Sequence, residues 1–82
     1  GIIEKVEVPR CESSGISLAP VVRLHRLEGE YLLTVVNHLE REARVKVRFR
    51  EEQAFAGGPG KCLELTVPAR DGTCARWSSS RR

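Results

Sequence analysis

The chain is 82 residues long, with 40% apolar, 30% charged and only 5% aromatic residues. That length holds one small domain, and the apolar share sets the chain apart from those too polar to collapse. A formal charge of +3, from 14 basic and 11 acidic side chains, is too small to imply a polyanion partner by itself, and no apolar run approaches the ~20 residues of a membrane-spanning helix.

The chain starts at Gly1 and contains no Met, so it reads as a domain of a larger protein, with residues 1–78 as a single folded unit and 79–82 as a polar tail. No charged-then-apolar leader is visible, and nothing points to a compartment.

In chain order, Ile2, Val6 and Val8 suggest a first strand whose apolar face is interrupted by Glu4. Pro9, Ser13-Ser14-Gly15 and Pro20 then punctuate the chain, with Cys11 expected in a loop. Val22 and Leu24 alternate with Arg23 and His25, and Gly29 breaks the pattern. Residues 31–36, YLLTVV, are almost continuously apolar, which suits a strand covered on both faces or central in its sheet. A helix over 32–44 is the competing reading, but Thr34, Val35 and Val36 are β-branched and stiff in helices.

Residues 43–50 carry the clearest signal. Ala43, Val45, Val47 and Phe49 alternate with Arg44, Lys46, Arg48 and Arg50. Only an extended strand puts these four apolar residues on one face. A loop follows, broken by Gly57-Gly58-Pro59-Gly60, with Phe55 tucked beneath it. Leu63, Leu65 and Val67 mark another strand, Asp71-Gly72 reads as a hairpin turn, and Ala75 and Trp77 share a face of the last strand, 73–78. About six short strands with turns every 8 to 12 residues are the signature of an all-β sandwich or small barrel, and the expected fold is all-β, a small antiparallel β-sandwich. Its expected core is Val6, Val8, Val22, Leu24, Leu33, Val35, Val45, Val47, Phe49, Leu63, Leu65, Val67 and Trp77.

The stretch 30–49, EYLLTVVNHLEREARVKVRF, runs from an apolar strand ending in Val-Asn through a polar turn into an alternating strand, and 63–72, LELTVPARDG, follows. This pattern resembles immunoglobulin-like accessory domains, including the C-terminal β-sandwiches appended to many glycoside hydrolases. The resemblance spans roughly residues 20–77 and implies a non-catalytic module that packs on another domain.

The candidate binding residues are the basic stripe Arg44, Lys46, Arg48 and Arg50, with Arg41 just before it. Neighbours on one strand face lie ~6.6–6.8 Å apart, near the phosphate spacing of an extended nucleic acid, and Arg suits bidentate phosphate contacts. The plainer reading is a solvated face paired with Glu7, Glu30 or Glu64 on adjacent strands. Glu51-Glu52 ends the track. The thiols of Cys62 and Cys74 fall on strands read as neighbours, so both a disulfide between them and reduced thiols stay open. His25 and His38 lack companions at catalytic spacing beyond Glu40 and Glu42, and Cys11 has only Arg10 beside it. Gly57 to Lys61 lacks the phosphate-loop spacing. No metal or cofactor set is visible. The expected function is a non-catalytic accessory or protein-interaction domain. Its expected partners are other domains of the same parent protein or a separate protein, without a membrane. The alternative is a small basic β module binding nucleic acid through the stripe.

Overall fold

The structure, a computed structural model, describes residues 1–9, 11–13 and 16–79. Eight strands follow one another and no helix occurs among the described residues, hence none long and apolar enough to cross a membrane. They are β1 (Ile3–Glu7), β2 (Cys11–Ser13), β3 (Ile16–Leu18), β4 (Val21–Leu27), β5 (Glu30–Val36), β6 (Ala43–Gln53), β7 (Gly60–Val67) and β8 (Gly72–Ser78). Two antiparallel three-stranded sheets, β1-β6-β7 and β4-β5-β8, pack face to face as a small β-sandwich. The ribbon β2–β3 stands between β1 and β4 in the chain; Cys11, expected in a loop, opens it. The expected tail at 79–82 lies, beyond Ser79, outside the described residues.

The alternation at 43–50 sets the interior. Ala43, Val45, Val47 and Phe49 are buried, and the four basic residues between them are exposed. Leu33 and Val35 from β5, Val67 from β7 and Trp77 from β8 complete the buried cluster. Each such side chain contributes about 1.5–3 kcal/mol by leaving water. Val8, Val22, Leu24, Leu63 and Leu65 pack against it half-buried. Val6 was expected in the core. It pairs with Val47 but remains 37% exposed, because β1 is an edge strand with nothing beyond it.

Local rules explain the junctions. In β1, Ile3 pairs with Phe49 and Lys5 with Arg48, so Glu4 is one residue too many. The interruption of the apolar face at Glu4 is thus a β-bulge, which turns Val6 back inward beside Val47. β4 and β5 form a hairpin across Glu28-Gly29, where Gly29 takes the left-handed φ of 75° that a side chain would resist. Asp71-Gly72 does not close a hairpin. It lies at a corner where the chain leaves β7 in one sheet and enters β8 in the other. Arg70 stands there at φ 53°, and its N–H bonds to the Leu39 carbonyl at 3.0 Å.

The two ends of the sandwich are built differently. At one end all four aromatic rings meet: Trp77 lies 5.0 Å from Phe55, 5.5 Å from Phe49 and 5.9 Å from Tyr31, centroid to centroid. The indole N–H donates to Gln53 Oε1 at 3.0 Å. At the other end sits Asn37, fully buried. Its Nδ2 donates to the carbonyls of Arg41 (2.8 Å), Pro68 (3.1 Å) and Val67 (3.2 Å), and its Oδ1 accepts the Leu39 N–H at 3.0 Å. Its backbone N–H bonds to the Asp71 carbonyl at 2.8 Å. One side chain thereby joins the connection after β5 to the one after β7.

Candidate interaction surface

The outer face of the β1-β6-β7 sheet carries the basic stripe. Pairing registers place Glu7, Lys46 and Glu64 in one row across the sheet, and Lys5, Arg48 and Cys62 in the next. Arg44 lies beside Thr66. All four stripe residues are exposed, and register places carboxylates beside Lys46 alone, flanked by Glu7 and Glu64. Arg44 and Arg48 have no acid directly opposite. Glu30 lies on the other sheet, where the Arg76 Nη2 donates to its Oε1 at 2.6 Å. That hydrogen bond, and then the Glu30 charge, raise Arg76 above its ordinary pKa.

The ion pairs among the described residues are Lys5–Glu7, Arg70–Glu40 and Arg76–Glu30, all exposed. None uses Arg44, Lys46 or Arg48. Arg50 is committed to its own chain: its Nε donates to the Gly1 carbonyl at 3.1 Å, holding the N-terminal segment along the sheet. Arg41 is not on the sheet face. It lies in the connection before β6, exposed, and its carbonyl serves Asn37. The structure thus brings together Arg44, Lys46 and Arg48 and adds Lys5, which the sequence reading missed. Its signal was the alternation of β1, hidden by the bulge at Glu4. A shallow concavity of about 390 Å³ opens on this face between Arg44, Lys46, Glu64, Glu7, Val8 and Pro9.

No aromatic ring lies on this surface. Phe49 points inward, and Phe55, Tyr31 and Trp77 are gathered around it at the aromatic end. A second concavity, about 520 Å³, opens there between Arg26, Tyr31, Gln53, Ala54 and Pro59. The Arg26 guanidinium lies 6.0 Å from the Tyr31 ring centre and occupies that part of the opening.

The remaining sequence candidates are dispersed. His25 Nε2 lies 3.4 Å from Thr34 Oγ1 at the surface, and His38, Glu40 and Glu42 are exposed in the turn before β6. Among the described residues no group of three or more His, Cys, Asp or Glu side chains could hold a metal ion. Cys62 and Cys74 are free and exposed. Their strands are not neighbours in one sheet: Cys62 pairs with Arg48 on the outside of one layer, Cys74 with Thr34 on the outside of the other. Packed sheets stand ~10 Å apart, and a disulfide needs Cα atoms within ~7 Å, so the bridge left open by the sequence does not form.

Comparison with protein families, with curated proteins and with solved structures found no match to this chain.

Proposed function

We propose that this β-sandwich is a non-catalytic interaction module, an accessory unit of a larger protein that docks an acidic protein surface through the outer face of β1-β6-β7. The observation that carries this reading is the charge on that face: Lys5, Arg44, Lys46, Arg48 and Arg50, with Glu7 and Glu64 beside Lys46 and Glu51-Glu52 ending the track. Arg44 and Arg48 make no ion pair among the described residues, so their charge is available to a partner. Complementary charge of this kind steers encounter and selects partners more than it adds raw affinity. The layout is also read as immunoglobulin-like. From β5 the chain crosses to the other sheet, makes the β6–β7 hairpin, and returns to place β8 beside β5, a Greek-key path common in such sandwiches.

The second reading, a nucleic-acid module, draws on the even spacing of the stripe. It lacks the stacking platform that single-strand binders use, because every ring is turned toward the aromatic cluster. Fluorescence anisotropy with a labelled poly-glutamate peptide and a labelled single-stranded oligonucleotide separates the two. Poly-glutamate is expected to bind with a marked salt dependence, and the double variant Arg44→Gln/Arg48→Gln to bind about tenfold more weakly, equivalent to about 1.4 kcal/mol. Equal binding by wild type and variant removes the stripe from the function. Tighter binding of the oligonucleotide, weakened by the same variant, transfers it to the second reading.

A further inference from the structure

Three of the four edges of the two three-stranded sheets are blunted. β1 carries the bulge at Glu4 and the charged pair Lys5–Glu7. β7 carries Lys61 and Glu64, and its pairing with β6 is irregular beyond Arg48. β8 is tied at Ser78 by a bridge to Ala54. These are devices that keep sheet edges from pairing with other chains. β4 carries Arg23 and Arg26, but it has no bulge, no tie to another segment and no irregular pairing. It pairs with β5 through seven consecutive residues without a register shift, and among the described residues no strand lies along its other side. Two of its outward residues, Val21 and Leu27, are 40% and 42% exposed.

We infer that β4 is the seam of a symmetric homodimer, with β4 of two copies paired antiparallel about a two-fold axis through Leu24. The sequence of the strand, VVRLHRL, is self-complementary in this one register. Antiparallel partners must share a sheet face, so only registers that place a residue opposite itself are allowed. With Leu24 opposite its copy, all seven residues pair. Val21 then covers Leu27 of the other copy on the outer face, and Leu27 covers Val21. Arg23 meets His25, and the stem of Arg26 meets Val22 on the inner face. No cation stands opposite a cation. A shift toward the N-terminus sets Arg23 against Arg23. A shift toward the C-terminus sets His25 against His25, drives Leu24 against Arg26 and separates Val21 from Leu27.

The product is one continuous sheet of six strands, three from each copy. Its seam gains about six to eight main-chain hydrogen bonds, the strand-addition mode of recognition. Side-chain burial is small, so the contact belongs to the weak class below ~1,200 Å², with dissociation constants between about 10 μM and 1 mM.

Sedimentation equilibrium of the full chain tests this. The wild type is expected to pass from monomer to dimer in that concentration range. Val21→Lys/Leu27→Lys places lysine opposite lysine and is expected to weaken association at least tenfold. Val21→Lys/Leu27→Glu places each lysine against a glutamate of the other copy and is expected to restore the dimer. Both positions are exposed, and Trp77 fluorescence verifies that each variant is folded. In the wild type, amide exchange along β4 is expected to slow as concentration rises, which reads the same seam without a substitution. A monomer up to about 1 mM, a dimer indifferent to the lysine pair, a lysine–glutamate variant that stays monomeric, or exchange along β4 independent of concentration would each overturn the proposal.

Discussion

Replacing Asn37 by Leu keeps the branched shape and the number of heavy atoms of the side chain and removes every hydrogen bond it makes. Two of those bonds, to the Val67 carbonyl and from the Leu39 N–H, are buried, so their partners are left without water or replacement. An orphaned buried polar group costs about 1–3 kcal/mol. The Arg41 and Pro68 carbonyls are only partly buried and recover part of their loss from solvent. The sum is about 3–4 kcal/mol, against a total of about 4–12 kcal/mol for a domain this size at 0.05–0.15 kcal/mol per residue. Urea unfolding followed by Trp77 fluorescence is the assay. Trp77 is the only tryptophan, and its ring sits in the aromatic cluster at the far end of the core, so it reports global unfolding. With a slope near ~1 kcal/mol/M, the midpoint is expected to fall by about 3 M. Asn37→Asp adds a pH signature. The introduced carboxylate faces three carbonyls in a buried site, so its folded pKa is raised above the unfolded ~3.9. The native state then binds the proton more tightly than the unfolded state. Relative to wild type, the variant is expected to be most stable at and below pH ~4 and to lose that stability as pH rises through the folded value. A midpoint shift below about 0.5 M for the Leu variant, or a pH-independent deficit for the Asp variant, would refute the reasoning.

Val47→Ala is expected to cost about 2–3 kcal/mol by urea titration, and Arg48→Ala, one residue on, to stay within about 0.5 kcal/mol; equal costs would contradict the alternation. Arg70→Asn is expected to leave stability within about 0.5 kcal/mol, because asparagine tolerates left-handed backbone, whereas Arg70→Val should lower it by about 1–2 kcal/mol. Both are read as melting temperatures, and a Val variant as stable as wild type removes the strain argument. Gln53→Leu strips the Trp77 N–H of its acceptor and is expected to cost about 1–2 kcal/mol, with Gln53→Glu retaining most of the stability; calorimetry on both variants checks this. Alkylation of the folded protein followed by peptide mapping is expected to modify both Cys62 and Cys74; protection of the pair would restore the disulfide.

The strands were legible wherever the pleat dictated the pattern. Residues 43–50 and 63–67 alternate because one face meets the core and the other meets water. The apolar run 31–36 reads correctly as a central strand, β5, between β4 and β8, although Val36 on its outer side remains 42% exposed. Three features were not legible because local chemistry does not encode them. Asp71-Gly72 signals a tight turn but not which sheet receives the next strand, and for the same reason the strands of Cys62 and Cys74 read as neighbours in the sequence. The strands of the β2–β3 ribbon stand on either side of the Ser13-Ser14-Gly15 break in the sequence, yet these short flanks carry no marked alternation. Asn37 was read as the end of a strand, the common role of such a residue; its burial depends on carbonyls 30 residues away in sequence. Within the candidate site, the stripe was visible, but which of its residues stand beside acids depends on register, which only the pairing of β1 and β7 with β6 supplies.

The separation of the aromatic rings from the Asn37 knot gives the sandwich a thermal polarity. Apolar association weakens on cooling, whereas the amide contacts around Asn37 do not rely on it. Chilling the protein near 0 °C therefore weakens what holds the ring-filled pole more than what holds the opposite, amide-latched one.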